Sequence, residues 1–149
     1  MEHTSAQSAL TNVALAVLAL AGAVPGTWAT VAPRSFYDDF PGFGRQWVAA
    51  DGPFNEHLVR DVGGFFLALA ALAIAALVLR TGVAARLAAL AWLVFSIPHT
   101  GYHLTHLEVY SALDKILNVV GLSAVVVLAA LVALAPEQRR RSGDRAGQD

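Results

Sequence analysis

The stretch Val62-Gly-Gly-Phe-Phe-Leu-Ala-Leu-Ala-Ala-Leu-Ala-Ile-Ala-Ala-Leu-Val-Leu79 decides the fold of this chain. Together with the residues from His57 onward it is apolar over the roughly 20 residues that a helix needs to cross a bilayer. The short turn Arg80-Thr-Gly82 follows, and a second apolar segment begins directly after it. The sequence therefore predicts two antiparallel membrane-spanning helices joined by a tight turn.

Two further apolar segments of similar length lie in the rest of the chain. The sequence therefore predicts an all-α, four-transmembrane-helix bundle. The predicted spans are 10–32, 57–79, 83–107 and 112–134. They form a single domain over residues 1–135, with one long loop at 33–56 and a charged, disordered tail at 136–149. A cleaved signal peptide is the alternative for the first span, because Ala29-Thr-Val-Ala32 resembles a cleavage site. The absence of Lys and Arg before that span favours a retained helix.

Composition excludes several classes of site. The 149 residues are 56% hydrophobic and 14% charged, against a charged share of roughly 25% in average soluble domains, so the lipid bilayer is the expected partner. A net charge of −1 without a basic patch gives no case for nucleic acid. There is no cysteine, and the single methionine is Met1, so thiolate and thioether ligands are excluded. A metal or haem would depend on histidine, carboxylate or tyrosine.

The distribution of positive charge predicts the orientation. Six of the ten Lys and Arg residues flank the second turn or lie in the C-terminal tail, where Arg139, Arg140 and Arg141 are consecutive. Cytoplasmic segments carry such an excess, so both termini are expected in the cytoplasm. The long loop and the histidine-rich end of the third span then face outward.

Polar side chains recur at helical spacing on three of the spans. His99, His103 and His106 lie at i, i+4 and i+7, and Ser96 and Trp92 continue that stripe. His57 and Asp61 form an i, i+4 pair on the second span. Asp114 and Asn118 form another on the fourth. Ionisable groups in a membrane avoid lipid, so these stripes are expected to face each other.

One hypothesis for this cluster is a divalent transition-metal site, since imidazole suits zinc, copper, iron and nickel. One ion cannot take all three histidines of the third span, because i to i+7 covers about 10.5 Å. The expected ligands are His57, Asp61, His99 and His103, with His106, Asp114 and Asn118 around them. A haem held between His57 and either His99 or His103 is a weaker alternative.

Two further hypotheses need no cofactor. Asp61 or Glu56 could act with His99 or His103 as catalytic acid and base on a lipophilic substrate, because carboxylates near a bilayer have raised pKa values. Otherwise the cluster is a hydrogen-bond network that holds the helices together, with Glu56 and Arg60 paired at i, i+4. The sequence leaves open which applies, whether the chain is an enzyme, and whether it forms a homo-oligomer.

The long loop is unusually aromatic. Its bulky rings belong to Phe36, Tyr37, Phe40, Phe43, Trp47 and Phe54. An aromatic belt at the headgroup level accounts for them. A lid over a site at the membrane face is the alternative.

Three stretches carry a family resemblance. They are Ser35–Trp47, Asp51–Gly64 and Trp92–His99 with the two following histidines. Over residues 33–108 the chain resembles a group of uncharacterised small actinobacterial membrane proteins. These in turn are similar to the DoxX-like four-helix proteins, through helix count and the Arg-x-x-Gly pattern at Arg60. The resemblance implies a four-helix bundle in a bacterial inner membrane, near redox or quinone metabolism, and assigns no catalytic residue.

Overall fold

A computed structural model of the protein describes residues 8–136 and shows the predicted all-α bundle. Four long helices, α1 (Ala9–Val31), α4 (Glu56–Leu79), α5 (Gly82–Thr105) and α6 (Ala112–Leu134), each overlap one predicted span. All four are long and apolar enough to cross a membrane. The protein is thus a multi-pass helical membrane protein by helix length and composition. The predicted disordered tail lies outside the described residues from 137 onward.

Each long helix begins at a residue whose side chain caps it. Ser8 Oγ accepts from the Thr11 amide at 3.1 Å, and Asn55 Oδ1 accepts from the Leu58 amide at 3.1 Å. Thr81 Oγ1 and Ser111 Oγ do the same for α5 and α6, at 3.2 and 3.3 Å. Because such caps satisfy otherwise unpaired amides, the apolar runs begin as helices at these polar residues.

The helices form a four-membered ring in which α1 packs against α4 and α6, and α5 packs against the same two helices. The pair α1 and α4 is the closest. A Cβ added to Gly22 would lie 2.7 Å from the Phe66 carbonyl oxygen, and one added to Gly63 would lie 2.6 Å from Thr30 Oγ1. Gly22 and Gly26 form the GxxxG spacing that lets membrane helices approach at backbone distance.

The two ends of the bundle differ in their packing. The end that holds the α4–α5 turn, here called the hairpin end, has a continuous core of small and aliphatic residues. Its buried members are Ala14, Leu15, Leu18, Ala19, Leu69, Ala73, Ala76, Ala85, Ala88, Ala89, Trp92, Ala129 and Val132. The opposite end, here called the cap end, is covered by the segment between α1 and α4.

That segment, residues 33–54, is a compact cap instead of the predicted long loop. It contains α2 (Pro33–Asp39), a two-stranded hairpin of β1 (Pro41–Gly42) and β2 (Arg45–Gln46), and α3 (Trp47–Asp51). Phe36 is 5% exposed and packs with Ala29 and Val59. The aromatic residues thus give the cap its own small core.

The connection from α5 to α6 also departs from the predicted span 83–107. Helix α5 ends at Thr105, and His106 leaves the helix with φ −130° and ψ 40°. A 3₁₀ turn at Leu107–Val109 then leads to Tyr110. His106 therefore does not continue the helical stripe formed by His99 and His103.

Candidate ligand-binding cavity

A cavity of about 460 Å³ lies at the cap end of the bundle. All four long helices and the cap contribute to its lining. The lining residues are Ala21, Pro25, Phe36, Phe40, Trp47, Val48, Asp51, Leu58, Val59, Val62, Phe66, Trp92, Phe95, Ser96, His99, His103, Leu117, Asn118, Gly121, Leu122 and Val125. The volume falls in the range of about 300 to 1,000 Å³ that is typical of small-molecule sites.

Helix α5 provides the polar stripe of this cavity. Trp92, Ser96, His99 and His103 follow one another at intervals of three or four residues and all line it. Trp92 also belongs to the hairpin-end core, so it forms the floor between the packed and the hollow halves. The stripe predicted from the spacing is confirmed for these four residues.

Two buried polar atoms at the cavity have no partner. Trp92 is 1% exposed and Asn118 is 2% exposed. Within residues 8–136, the Trp92 Nε1 and Asn118 Oδ1 atoms make no hydrogen bond. Leaving a buried donor or acceptor unpaired costs roughly 1–3 kcal/mol. Each such group therefore calls for an explanation.

The two histidines lie side by side in a row of rings. Phe95 stacks on His99 with ring centroids 5.1 Å apart, and the His99 and His103 centroids are 4.7 Å apart. Beyond His103, the Tyr110 hydroxyl lies 3.4 Å from its Nδ1 and donates to the Trp47 carbonyl oxygen at 3.2 Å. This contact joins α5 to the cap.

Tyr110 is outside the spans and is 7% exposed. Burial is the main cause that raises its pKa to about 12, and the negative charge of Asp51 adds to it. The phenol therefore stays protonated at neutral pH. It can keep its hydrogen bond to the cap under physiological conditions.

Asp114 fastens the cap to α6. Its Oδ1 accepts from Trp47 Nε1 at 2.8 Å and pairs with Arg45, whose side chain is 24% exposed. Its Oδ2 accepts from Ser111 Oγ at 2.5 Å. Asp114, predicted beside the metal ligands, instead holds the hairpin and α3 over the cavity.

The carboxylate that shares the cavity with His99 and His103 is Asp51, at the end of α3. Asp51 and Trp47 are four residues apart, so both project from one face of α3 into the cavity. Tyr102 donates to Asp51 Oδ1 at 3.4 Å. Asp51 was not among the predicted site residues, because its position depends on how the cap folds back.

The structure does not bring the other predicted site residues into the lining. His57 and Asp61 pair with each other at 3.3 Å, with side chains 88% and 51% exposed. Glu56 pairs with Arg60 at 2.9 Å, as the spacing predicts. His106 bonds through Nδ1 to the Tyr102 carbonyl oxygen at 2.9 Å.

These placements bear on the cofactor hypotheses. Among residues 8–136, no three His, Asp or Glu side chains are grouped closely enough to hold a metal ion. His99 and His103 remain together, without the His57 and Asp61 that the predicted ligand set needs. A haem between His57 and either of them also lacks its first axial ligand in the lining.

By its fold and its cavity, the protein is a multi-pass helical membrane bundle with an internal, capped cavity. No protein-family model, curated protein or solved structure matches this chain. The resemblance to DoxX-like proteins therefore stays a prediction.

Proposed function

We propose that the protein binds a lipophilic small molecule in the cavity beneath its cap. The observation that carries the proposal is a largely apolar cavity whose lining includes two buried, unpartnered polar atoms, Trp92 Nε1 and Asn118 Oδ1. A ligand with a hydrogen-bond acceptor and donor would satisfy both atoms. Its apolar body would fill the remaining space.

The size of the energies supports occupancy over an empty cavity. Two unsatisfied groups cost roughly 2–6 kcal/mol together, and burying apolar ligand surface contributes about 25 cal/mol for each Å².

Helical rise sets the spacing of the two polar atoms. Asn118 lies six residues along α6 from its cap end, and Trp92 lies thirteen residues along α5 from its cap end. Trp92 is therefore about 10 Å deeper in the bundle than Asn118. The ligand is expected to be elongated.

The location that we propose is the bacterial cytoplasmic membrane, with the cap on the outer side. The excess of Arg near the α4–α5 turn and in the tail supports this orientation. A lipophilic ligand would then enter from the outer leaflet, close to the cap.

Acid–base chemistry on the bound molecule is a second candidate function. His99 lines the cavity, where its ring packs against the rings of Phe95 and His103. An imidazole at a ligand site can accept or donate a proton. If His99 acts as acid or base, the His99→Gln variant should still bind the ligand but no longer convert it. Equal conversion by wild type and His99→Gln would exclude this role.

Gly121 offers the decisive test of binding. It lines the cavity, and a Cβ there would meet no atom within 4 Å. Gly121→Leu should fill the cavity without a clash. Gly64 is a matched control, because a Cβ there also meets nothing, yet Gly64 lies outside the lining. Both changes replace a helical glycine, so both gain about 0.8 kcal/mol of helix propensity.

The experiment is mass spectrometry of organic extracts from the three proteins, purified in one mild detergent. Wild type and Gly64→Leu are expected to carry a lipophilic molecule in near-stoichiometric amount, and Gly121→Leu to lack it. Equal amounts in all three proteins, or none above the empty-micelle background in any, would contradict the proposal.

A further inference from the structure

The charges around the cavity are unbalanced. Within the part of the chain that the structure describes, the lining contains the carboxylate of Asp51 and no Lys or Arg. Asp51 is itself exposed, so it lies where the cavity meets its surroundings. Any ligand that enters meets a negative charge at that point.

The nearby arginines do not neutralise this charge, because each has another partner. Arg34 pairs with Asp38 at 2.7 Å, Arg45 with Asp114, and Arg60 with Glu56 at 2.9 Å. Arg34 also lies over the Phe54 ring, 5.0 Å from its centroid. In residues 8–136 no ion pair involves Asp51, which accepts a hydrogen bond from the Tyr102 hydroxyl.

Aromatic rings line the same cavity as this carboxylate. Trp47 lies on the same face of α3, and its ring is 6.1 Å from that of Phe40, which also lines the cavity. Faces of aromatic rings attract cations, and this attraction strengthens where water is excluded. A carboxylate and aromatic rings that line one cavity are complementary to an organic ammonium group. His99 and His103, when neutral, add acceptor nitrogens for its N–H groups.

We infer that the ligand is a lipophilic amine, with its ammonium group at Asp51 and its apolar body along the cavity. This inference rests on the proposed function and names the class of molecule that the site selects. A fatty acid or another anionic amphiphile would be repelled by Asp51 and would find no cation in the lining. A neutral alcohol would fit the walls without the charge interaction.

Three probes with one apolar body separate these classes: phenylbutylamine, phenylbutanol and phenylbutyrate. Each is titrated calorimetrically into the protein in nanodiscs of zwitterionic lipid, and the heats from empty nanodiscs are subtracted. Because a charge-assisted hydrogen bond is stronger than a neutral one, the amine should bind about tenfold more tightly than the alcohol, a difference of about 1.4 kcal/mol. Phenylbutyrate should bind most weakly.

Variants locate the charge effect. Asp51→Asn should weaken binding of the amine about tenfold and leave the alcohol within about twofold. Asp51→Glu should retain the preference for the amine. Asp61→Asn is the matched control. It removes a carboxylate that also lies at the cap end of the bundle but outside the cavity lining, and it should leave the affinities for all three probes unchanged. Melting curves of all variants should coincide with that of wild type.

The outcomes separate this inference from the proposed function. If the alcohol binds as tightly as the amine, or if Asp51→Asn leaves the preference intact, the amine class is overturned while binding stands. If none of the probes binds to wild type, or if Gly121→Leu binds all of them unchanged, the proposed function fails and the inference falls with it.

Discussion

The hairpin end and the cap end of the bundle are built from the same four helices and pack in opposite ways. At the hairpin end, alanines such as Ala73, Ala76 and Ala89 are fully buried or nearly so and fill the centre together with Leu15 and Leu18. At the cap end the same helices surround a cavity of about 460 Å³. The difference separates a half that stabilises the fold from a half that is available for binding.

The cap explains how the hollow half stays closed at its end. At the cap end α1 and α4 are still in direct contact, at Thr30 and Gly63, while the segment 33–54 lies over the remaining gap and is tied to α6 by Asp114. Cap residues therefore replace part of the helix-to-helix packing. The comparison predicts that substitutions of the same kind have unlike effects at closely packed positions and at positions that line the cavity or contact nothing.

The largest effect is expected where two helices meet at backbone distance. Gly63→Leu would place a side chain against Thr30, whose amide nitrogen lies 2.9 Å from the added Cβ. Separating α1 from α4 should cost about 3 kcal/mol, the upper part of the range for overpacking. Thermal unfolding followed by circular dichroism in detergent measures it. Gly64→Leu, one residue further along α4, should have the unfolding temperature of wild type. Equal unfolding temperatures for Gly63→Leu and Gly64→Leu would contradict the close α1–α4 contact.

A second pair of substitutions compares the two halves directly. Ala89 is 0% exposed in the hairpin-end core, so Ala89→Leu should destabilise the protein by about 2 kcal/mol through overpacking. Gly121→Leu adds a larger side chain to the cavity and should not lower the unfolding temperature. If Gly121→Leu proves the more damaging of the two, the cap end is not hollow.

The attachment of the cap should have a smaller effect. Asp114→Ala leaves Arg45 and Trp47 without their acceptor and should lower the unfolding temperature, because hydrogen bonds to a charged group are lost. Hydrogen exchange should speed up in residues 41–51 and stay unchanged in the α1–α4 interface. Asp38→Ala breaks the pair with Arg34, which is 66% exposed, and should lower the unfolding temperature less, because exposed ion pairs contribute little. Equal exchange in the two variants would argue against Asp114 as the attachment.

The smallest effect concerns pH. The pKa of Tyr110 is raised from 10.0 to about 12, so its neutral form stabilises the folded state fully below pH 10 and this contribution is lost as pH rises through 12. Phenolate absorbance of the folded protein should show a tyrosine step near pH 12 that Tyr110→Phe lacks. A step near pH 10 for this residue would mean that Tyr110 is not buried under the cap.

Much of the fold follows from the sequence, because apolar length and capping residues determine the four helices. The α5 stripe of Trp92, Ser96, His99 and His103 also follows, since helical periodicity fixes which residues share a face. Periodicity does not fix which face turns inward. On α4 the close contact at Gly63 sets the rotation, and Asp61, two residues and about 200° away, faces outward with His57.

The carboxylate of the cavity was beyond prediction for a different reason. Asp51 reaches the site through the fold of residues 33–54, and long-range contacts such as Trp47 to Asp114 set its place. No local pattern encodes such contacts. The aromatic density of this segment indicated a lid as one alternative, and three of its aromatic residues, Phe36, Phe40 and Trp47, do line the cavity.

The three tryptophans offer the most direct test of an occupied cavity. Trp28 Nε1 donates to Ser35 and Trp47 Nε1 to Asp114, whereas Trp92 Nε1 has no partner in the described residues. The measurement is an NMR titration of the indole N–H signals with phenylbutanol in uniformly ¹⁵N-labelled protein. We predict a saturable shift of the Trp92 signal in wild type and Gly64→Leu, little change at Trp28, and no shift in Gly121→Leu. A Trp92 signal that stays in place at saturating phenylbutanol would contradict ligand binding in the cap-end cavity.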